Sequence, residues 1–322
     1  MKIFVTGGTG FIGSQLVQCL AGDGHQLVCL ARKTSDIRAL KEAGVSVVYG
    51  DITDKVSLRR GMQGCDWLVH LAASYTFWQA DRSVYQSANI QGMRNTMEAA
   101  LETQIKKVVL VSTIVTYGDA QWPITEASQP GDGCASEYAQ TKRAGDEVAW
   151  QLYRDHNLPL VVIYPSCVVG PHDPNASGRY IQNLIHGRMP AQILTGRPFS
   201  FVYVKDVCNA IWQALEKENN IGEKYIVNGA NMTWGELNKL IGEVGNAPVP
   251  KLRLPTPMVL LNASMLTALS SLTRKAPWLD LSIDQVNIMN QGCIADGSKA
   301  ERELGIHYTP LRQALADAMA NP

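Results

Sequence analysis

The stretch from Met1 to Gly13 reads MKIFVTGGTGFIG, and it constrains the fold more than any other part of the sequence. Its first part, Lys2 to Thr6, is a short β-branched and aromatic run, which predicts a buried central strand. A helical pattern then extends from about Phe11 to Ala21. Glycines punctuate the junction of the two at Gly7, Gly10 and Gly13. A strand, a glycine turn and a helix in this order are typical of the first unit of a parallel sheet covered by helices.

Each of the three glycines has a physical role in a turn that binds a dinucleotide. Gly7 allows the tight turn, Gly10 lets the backbone approach a pyrophosphate, and Gly13 lets the helix pack closely on the sheet. The positive end of the helix dipole would face the phosphates. A plain glycine-rich turn is the alternative. We predict dinucleotide binding, with contacts from the loop residues Gly7, Thr9, Gly10, Phe11, Ile12 and Gly13.

Composition restricts the class of protein and of partner. The 322 residues are 46% hydrophobic, which predicts a globular chain with a sizeable core. Lys plus Arg and Asp plus Glu both number 29, so the formal net charge is zero. That balance does not favour nucleic acid or acidic membranes as partners. The most apolar later stretch, Pro257 to Leu272, is too polar and too short for a membrane span. We therefore expect a small-molecule substrate, no nucleic acid and no membrane.

Cysteine and histidine usage bears on compartment and metal binding. The seven cysteines are scattered, odd in number and contain no Cys-x-x-Cys pair, which argues against a disulfide framework and a zinc site. The six histidines lack metal-ligand spacing. The N-terminal apolar run is too short for a signal peptide. We expect reduced thiols, a cytoplasmic location and no metal.

Strand and helix patterns alternate after the first helix, which predicts an α/β fold with a doubly wound parallel sheet of the Rossmann type. The further predicted strands are Gln26–Ala31, Val45–Tyr49, Asp66–Leu71, Lys106–Thr113 and Leu158–Tyr164. The further predicted helices are Ser35–Ala43, Lys55–Met62, Asp81–Glu102 and Glu137–His156.

The alternation decays after Gly170, in a proline-rich region. We predict a dinucleotide-binding domain over residues 1–169 and a smaller C-terminal substrate-binding lobe that takes up most of 170–322. Residues 202–228 are expected to return to the first domain, because Phe201–Leu215 reads as a helix and Tyr225–Val227 as a strand.

The end of the second predicted strand bears on cofactor choice. An acidic residue there binds the adenosine ribose of NAD, whereas a nearby Arg accommodates the 2′-phosphate of NADP. This chain has Arg32 and Lys33 after Ala31. Their charges favour NADP(H), with NAD(H) possible, and an ordinary solvated loop pair is the alternative. Asp51, after the third strand, is predicted to bond the adenine amino group or to cap a helix.

A Tyr and a Lys stand four residues apart on a predicted helix, which brings Tyr138 and Lys142 to the same face. The lysine charge favours the tyrosinate, so a phenol with an ordinary pKa near 10 could exchange protons near neutrality. Ser112 and Thr113 end the fifth predicted strand on the carboxyl edge of the sheet, where ligands bind in such folds. A hydroxyl at that edge can hold the substrate oxygen that Tyr138 protonates.

The motifs, taken together, resemble the extended short-chain dehydrogenase/reductase family, also called the NAD-dependent epimerase/dehydratase family. Within it, the chain is most similar to the dihydroflavonol reductase-like branch, which also holds hopanoid-associated sugar epimerases. The resemblance covers nearly the whole chain, in TGGTGFIG at 6–13, GD at 50–51, HLAA at 70–73, Asn89 with Gly92, VST at 111–113, YAQTK at 138–142, PSCVVGP at 165–171, FVYVKDV at 201–207 and SKAERELG at 298–305.

The resemblance implies catalytic roles for three residues. Tyr138 would be the general acid/base, and Lys142 would bind the nicotinamide ribose hydroxyls and lower the pKa of Tyr138. Thr113, five residues before Gly118 as in the family pattern, would orient the substrate carbonyl. Ser112 is the rival hydroxyl. Asn89 would hold a loop near the active site, with a hydrogen bond inside its own helix as the alternative. The remaining implied cofactor contacts are Ile52, Leu71, Ala72, Ala73, Pro165, Ser166 and Val168.

Two departures from the family pattern concern the substrate. Members that bind nucleotide-sugar diphosphates usually carry an Asn and an Arg at the places held here by Cys167 and Phe199, although Arg197 could compensate by position. The loss of both polar groups removes contacts worth roughly 1.5 to 3 kcal/mol each. Aromatic residues after the fourth predicted strand could instead line an apolar pocket or simply pack against the lobe. The predicted substrate residues are Tyr75, Phe77, Trp78, Thr113 and Cys167.

These residues predict an NADPH-dependent oxidoreductase that reduces a ketone or aldehyde of a small, largely apolar substrate. A nucleotide-sugar epimerase or dehydratase, using the same Tyr, Lys and cofactor, is one alternative. A non-catalytic dinucleotide-binding protein is another. The resemblance also implies a homodimer packed through the helices predicted at Asp81–Glu102 and Glu137–His156, unless their outer faces are merely solvated.

Overall fold

The fold is built on a seven-stranded parallel sheet in the order β3-β2-β1-β4-β5-β6-β9. The computed structural model describes residues 1–22 and 24–321. The strands of the large sheet and of a second, smaller sheet are β1 Lys2–Thr6, β2 Gln26–Ala31, β3 Ser46–Tyr49, β4 Trp67–His70, β5 Lys107–Val111, β6 Leu160–Pro165, β7 Cys167–Val169, β8 Pro198–Tyr203, β9 Lys224–Val227 and β10 Ala230–Thr233. This is the α/β, doubly wound Rossmann architecture that the alternation of strands and helices predicts.

Helices cover both faces of the large sheet, because its central strands are apolar on both sides and must be shielded from water. On one face α1 packs with α8, and on the other α3, α5 and α6 pack in a row. The α-helices are α1 Phe11–Gly22, α2 Arg38–Glu42, α3 Lys55–Met62, α4 Ser83–Gln86, α5 Gly92–Glu102, α6 Glu137–His156, α7 Ala176–Ile185, α8 Val204–Glu216, α9 Trp234–Val244, α10 Thr256–Thr273, α11 Ile283–Gln291, α12 Ser298–Leu304 and α13 Leu311–Ala320.

A three-stranded sheet, in the order β10-β8-β7, forms the second layer of the molecule. β7 pairs in parallel with β8, and β10 pairs antiparallel with β8. β7 begins two residues after the end of β6, with Ser166 between them. The small sheet therefore starts at the carboxyl edge of the large one, which is the edge that carries ligands in doubly wound folds.

The predicted helix Phe201–Leu215 is wrong at its start. Residues 201–203 form the end of β8, and the helix α8 begins at Val204. A short apolar run such as Phe201–Tyr203 suits a buried strand as well as a helix, and pairing with β7 and β10 decided between them. Residues 202–228 are predicted to return to the first domain. Within them, α8 packs on the large sheet and β9 joins the large sheet beside β6, whereas residues 202–203 belong to the small sheet.

The predicted helix Asp81–Glu102 is helical without interruption from Ser83 to Glu102, but a wider turn inside it divides it into three parts. These are α4, a π-helix over Ser87–Gln91, and α5. Wider π-type turns of this kind often occur at functional sites. Smaller differences concern ends: the predicted helix Ser35–Ala43 is reduced to α2, and β5 ends at Val111, so that Ser112 and Thr113 lie just beyond the strand.

Among the helices within residues 1–22 and 24–321, none is both long enough and apolar enough to cross a bilayer.

Candidate active site

A cleft of about 350 Å³ lies at the carboxyl ends of β1, β4, β5 and β6, between the large sheet and the second layer. It brings together residues from both halves of the chain. The sequence-predicted residues that line it are Gly7, Gly10, Phe11, Ile12, Gly13, Leu71, Ala73, Tyr75, Phe77, Thr113, Tyr138, Lys142, Pro165, Ser166, Cys167 and Val168.

The glycine turn between β1 and α1 is tight at two of its three glycines. Gly7 has φ +77°, and a Cβ there would lie 2.7 Å from the Ala72 backbone nitrogen. A Cβ on Gly13 would lie 2.1 Å from the Gly7 carbonyl oxygen, so α1 can approach the turn only with glycine at this position.

Gly10 differs from the other two glycines of the turn. A Cβ on it would meet only the Gly7 carbonyl oxygen, at 3.2 Å, among the described residues, which leaves its backbone open on the cleft side. Open backbone beside the start of α1 fits the pyrophosphate of a dinucleotide, since anions bind at helix N-termini.

Tyr138 lies in the first turn of α6, where the Ser136 side chain caps the helix by accepting a hydrogen bond from the Ala139 N–H at 3.1 Å. The Tyr138 side chain is buried at the cleft. Burial raises its pKa, the negative charge of Asp146 acts in the same direction, and a hydrogen bond with Thr113 lowers it. The phenol is therefore protonated at neutral pH and is in contact with the predicted partner hydroxyl.

Lys142 is buried one turn along α6 from Tyr138 and donates a hydrogen bond to the Val111 carbonyl oxygen at 3.3 Å. Burial lowers its pKa, and the charge of Asp146 raises it. Asp146 is itself buried, and this burial raises its pKa to about 6, against the opposing effects of Lys142 and Ser112. Sequence reasoning missed Asp146, although its position four residues after Lys142 on a helix places the two on one face.

The structure separates the two candidate hydroxyls at the end of β5. Ser112 Oγ donates a hydrogen bond to Asp146 Oδ2 at 2.5 Å, so it is committed to the buried acid. Thr113 contacts Tyr138 instead. This division of partners favours Thr113 over Ser112 as the group that contacts a substrate oxygen.

Asn89 joins the loop after β4 to α6. Its Oδ1 accepts a hydrogen bond from the Ser74 N–H at 2.8 Å, and its Nδ2 donates to the Ser74 carbonyl at 3.3 Å and to Thr141 Oγ1 at 3.1 Å. Asn89 lies in the π-helix and is buried. It does not line the cleft, and its side-chain bonds cross between elements rather than staying inside its own helix.

Thr6 and His70 form a second buried pair, at the ends of β1 and β4. His70, the last residue of β4, forms a 2.7 Å hydrogen bond between its Nδ1 and Thr6 Oγ1 at the end of β1. Burial lowers the pKa of His70 to about 3, with a smaller contribution from the charge of Lys142. His70 is thus neutral at physiological pH and links the two central strands at the edge that carries the cleft.

The remaining predicted cofactor residues do not line the cleft: Thr9, Arg32, Lys33, Asp51, Ile52 and Ala72. Arg32 and Lys33 are exposed just beyond β2, and neither forms a salt bridge with a described residue. Asp51 Oδ1 accepts hydrogen bonds from the Thr53 N–H at 2.9 Å and its hydroxyl at 2.8 Å. The helix-cap alternative for Asp51 is wrong, because Asp54 caps α3.

The side of the cleft where the sequence predicts substrate contacts is aromatic. The Tyr75 and Phe77 rings meet the Tyr138 ring edge-on, with centroid distances of 5.1 and 5.8 Å. Trp78, the third predicted residue, does not line the cleft. Across the cleft, β8 contributes Phe199, which the family pattern already pointed to, and β8, α7, α9 and α11 contribute residues that sequence reasoning missed, namely Tyr180, Ile181, Phe201, Trp234, Leu237, Gln285, Ile288 and Met289.

The aromatic residues on this side of the cleft form one cluster. The Trp234 ring lies 5.3 Å from Phe199, 5.5 Å from Phe201 and 5.4 Å from Tyr180, measured between ring centroids. Phe199 occupies the place where the family resemblance predicts an Arg in binders of nucleotide-sugar diphosphates. Besides the departure at Phe199, the sequence signal for this wall is the apolar run of β8, which suits any buried strand.

As for metals, the portion of the chain that the structure describes contains no cluster of three or more potential ligands.

The chain is similar to proteins of known family. Residues 3–228 match the model of the NAD dependent epimerase/dehydratase family. A putative dihydroflavonol 4-reductase of Synechocystis is 30% identical over 98% of this chain and 93% of its own. Sterol demethylase protein B of Methylococcus capsulatus is 30% identical over 99% of this chain and 98% of its own. The crystal structure of gox2253 matches with a TM-score of 0.84 and 31% identity, over 99% of this chain and 96% of the other.

The family match covers the glycine turn, the Tyr138 and Lys142 pair and the strand β9 that completes the large sheet. The similarity to the putative dihydroflavonol 4-reductase extends over 98% of the chain. The chain belongs to the NAD-dependent epimerase/dehydratase family, and it is an NAD(P)-dependent oxidoreductase of the extended short-chain dehydrogenase/reductase type.

Proposed function

We propose that this enzyme reduces a ketone or aldehyde of a small, largely apolar substrate with NADPH, and that Tyr138 delivers the proton. The contact of Tyr138 with Thr113, in a cleft whose far wall is aromatic, carries the proposal. A raised pKa keeps the phenol protonated near neutral pH, which is the form that a carbonyl reduction consumes.

The glycine turn and the start of α1 would hold the cofactor diphosphate, with Gly10 beneath it. Lys142 would bind the nicotinamide ribose, and Pro165, Ser166 and Val168 would contact the nicotinamide. Arg32 and Lys33, exposed beyond β2, support a preference for the 2′-phosphate of NADP. The bound cofactor supplies a hydride.

The protein's own groups stabilise the charge that forms on the substrate oxygen. Thr113 would hold that oxygen and Tyr138 would donate the proton to it, so both contacts strengthen as negative charge develops in the transition state. The rings of Tyr75 and Phe77 pack against Tyr138 and, with substrate bound, would shield this pair from water, which would strengthen the hydrogen bonds further. The expected lowering of the Tyr138 pKa by Lys142 stays a prediction for the cofactor-bound enzyme.

The character of the substrate wall supports an apolar carbonyl compound. Cys167 and Phe199 line the cleft where an amide and a guanidinium would serve a diphosphate. The names of the relatives, a dihydroflavonol reductase and a sterol demethylase protein, are consistent with ring-containing, poorly charged substrates. A screen of ketones and aldehydes for oxidation of NADPH tests the proposal, and turnover confined to nucleotide sugars would contradict it.

An epimerase or dehydratase is the second candidate, favoured by the family match and by the shared Tyr and Lys. Such enzymes return the hydride to the same substrate and therefore retain their cofactor. The ultraviolet spectrum of the purified protein distinguishes the two candidates. Stoichiometric bound NAD(P), together with no net oxidation of added NADPH by any carbonyl compound, would favour the second.

We further propose a homodimer that packs through the outer faces of α5 and α6. A twofold contact between these helices would form a four-helix interface. Light scattering at micromolar concentration is expected to give twice the mass of 35.2 kDa. A monomer mass would refute the dimer and leave the proposed reaction untouched.

A further inference from the structure

Helix α10 carries an exposed apolar stripe. Its 18 residues include no charged side chain, and only Val259, Ala263 and Ser270 are buried. Five large apolar residues are exposed, at 57% for Met258, 64% for Leu261, 65% for Met265, 57% for Leu269 and 84% for Leu272. Their spacing of three or four residues places them on one face of the helix. Water-facing patches of this extent are uncommon on soluble proteins and indicate an interaction surface.

The ends of the stripe are basic. Lys251 and Arg253 precede α10, Arg274 and Lys275 follow it, and all four are exposed. The sequence contains no Asp or Glu from residue 244 to residue 279. None of these four cations forms a salt bridge within the described ranges 1–22 and 24–321.

Asp81 and Trp278 lie near the basic C-terminal end of the stripe. Hydrogen bonds from Ser83 lower the pKa of the nearby exposed Asp81, and the charge of Arg274 contributes to that effect. Trp278, just beyond the basic end, is 58% exposed. The Leu- and Met-rich face of α10 is thus flanked by cations and an exposed Trp, which are residue types that helices in a membrane interface also use.

The apolar stripe belongs to a helix that is connected to the cleft. Thr267 Oγ1 accepts a hydrogen bond at 2.8 Å from the Ile283 N–H at the start of α11, and α10 packs along α11. The inner face of α11 lines the cleft through Gln285, Ile288 and Met289. Ser282, the cap of α11, donates to the Phe77 carbonyl oxygen at 2.7 Å. The exposed face of α10 is thus one helix layer away from the substrate side of the cleft.

We propose that the apolar stripe of α10 docks the enzyme on the surface of an anionic lipid bilayer. The stripe would insert between the acyl chains at the interface, and Lys251, Arg253, Arg274 and Lys275 would contact acidic headgroups. The helix would lie in the plane of the interface rather than span the bilayer. The zero net charge of the whole chain gives no indication of this basic surface, because the acidic residues that balance its charge lie elsewhere in the sequence.

Charge favours a bilayer over a second copy of the chain. A twofold contact through α10 would bring two sets of four cations onto one interface, where residues 244–279 contain no acid and Asp81 near Arg274 supplies one carboxylate per copy. An anionic lipid surface supplies the missing negative charge. Docking does not depend on the proposed carbonyl reduction, and it can be measured with no substrate or cofactor.

The test is co-sedimentation of the full-length protein with vesicles of equimolar phosphatidylcholine and phosphatidylglycerol, and with vesicles of phosphatidylcholine alone. We expect binding to the anionic vesicles and at least about tenfold weaker binding to the neutral ones, with loss at high salt. The double variant Leu261→Glu with Leu269→Glu should weaken anionic-vesicle binding by about tenfold or more. Lys251→Gln with Lys275→Gln should weaken it by about fivefold per charge.

The matched control is Val56→Glu with Ile221→Glu, which places the same charges at exposed apolar residues elsewhere on the molecule. It should bind like the unaltered protein, and circular dichroism should show both Glu double variants to be folded. Equal weakening by the control, equal binding to neutral vesicles, or no binding to either would overturn the proposal. A dimer that only the Leu261→Glu, Leu269→Glu variant dissociates, without vesicle binding, would assign the stripe to self-association instead.

Discussion

The two walls of the cleft are built in different ways. The proposed cofactor side consists mainly of backbone, with the glycine turn, the start of α1 and the ends of β4 and β6, and most of its residues sit in short contiguous motifs. The proposed substrate side consists of large side chains gathered from separate segments, such as Phe77, Tyr180, Phe199, Trp234 and Met289. A wall of backbone tolerates few residue types and leaves a signature in the sequence. A wall of side chains can be made from many combinations and leaves almost none.

The largest expected effect concerns the point where the two walls meet. Tyr138→Phe removes only a hydroxyl, so we expect turnover to fall by roughly 100-fold or more while NADPH affinity stays nearly unchanged. Steady-state kinetics on a substrate found by screening, with fluorescence titration of NADPH, measures both. Tyr117→Phe, a buried phenol that does not line the cleft, is the control and should retain activity. Wild-type turnover in Tyr138→Phe would mean that the proton comes from another group.

The next prediction concerns the close approach of α1 to the glycine turn on the proposed cofactor side of the cleft. Gly13→Ala places a methyl group 2.1 Å from the Gly7 carbonyl oxygen, which forces the turn and α1 apart. Overpacking of this kind costs about 1 to 3 kcal/mol, and we expect NADPH affinity to fall by about tenfold or more.

The control for this change lies on the same helix. Gly22→Ala adds its methyl where, apart from its chain neighbours and its own helix backbone, no described atom lies within 4 Å, so affinity should not change. Thermal melts of both variants check stability alongside the titration. Equal affinities for the two variants would show that the close approach at Gly13 does not shape the cofactor site.

The substrate wall is tested by two adjacent aromatic residues. Phe77→Ala removes a ring that lines the cleft beside Tyr138, and we expect KM for an apolar carbonyl substrate to rise by about tenfold, since burying such a ring contributes about 1.5 to 3 kcal/mol. Trp78→Ala should leave KM within about twofold, because Trp78 does not line the cleft. The reverse result would return Trp78 to the substrate site.

The smallest expected effect lies at the exposed edge of the cofactor wall. Arg32→Ala should reduce the preference for NADPH over NADH by a few fold, because exposed ion pairs contribute about 1 kcal/mol or less. Arg38→Ala is a nearby control, since Arg38 is exposed and already paired with Asp36 at 2.6 Å. Titration of both cofactors measures the ratio. An unchanged ratio in Arg32→Ala would leave Arg32 as an ordinary solvated loop residue.

Much of the fold follows from pattern alone, and the failures have specific causes. The strands β1, β2 and β4 to β6 are central and apolar on both faces, so short runs bounded by glycine or polar residues predict them within two or three residues. The segment over residues 81–102 looks like one helix because its apolar spacing continues. The π-helix at Ser87–Gln91 places Asn89 where it bridges the loop at Ser74 and Thr141 of α6.

By itself, the sequence determined the parallel sheet, the glycine turn and the Tyr138 and Lys142 pair, because these depend on local backbone requirements and on helix periodicity. Only the tertiary structure decided that Ser112 donates a hydrogen bond to Asp146 while Thr113 bonds with Tyr138, since the partner of each hydroxyl lies on another element. It also decided that the aromatic wall faces the cleft and that the stripe of α10 faces water. Residues far apart in the chain meet there, and which side of an apolar segment is covered depends on what packs against it.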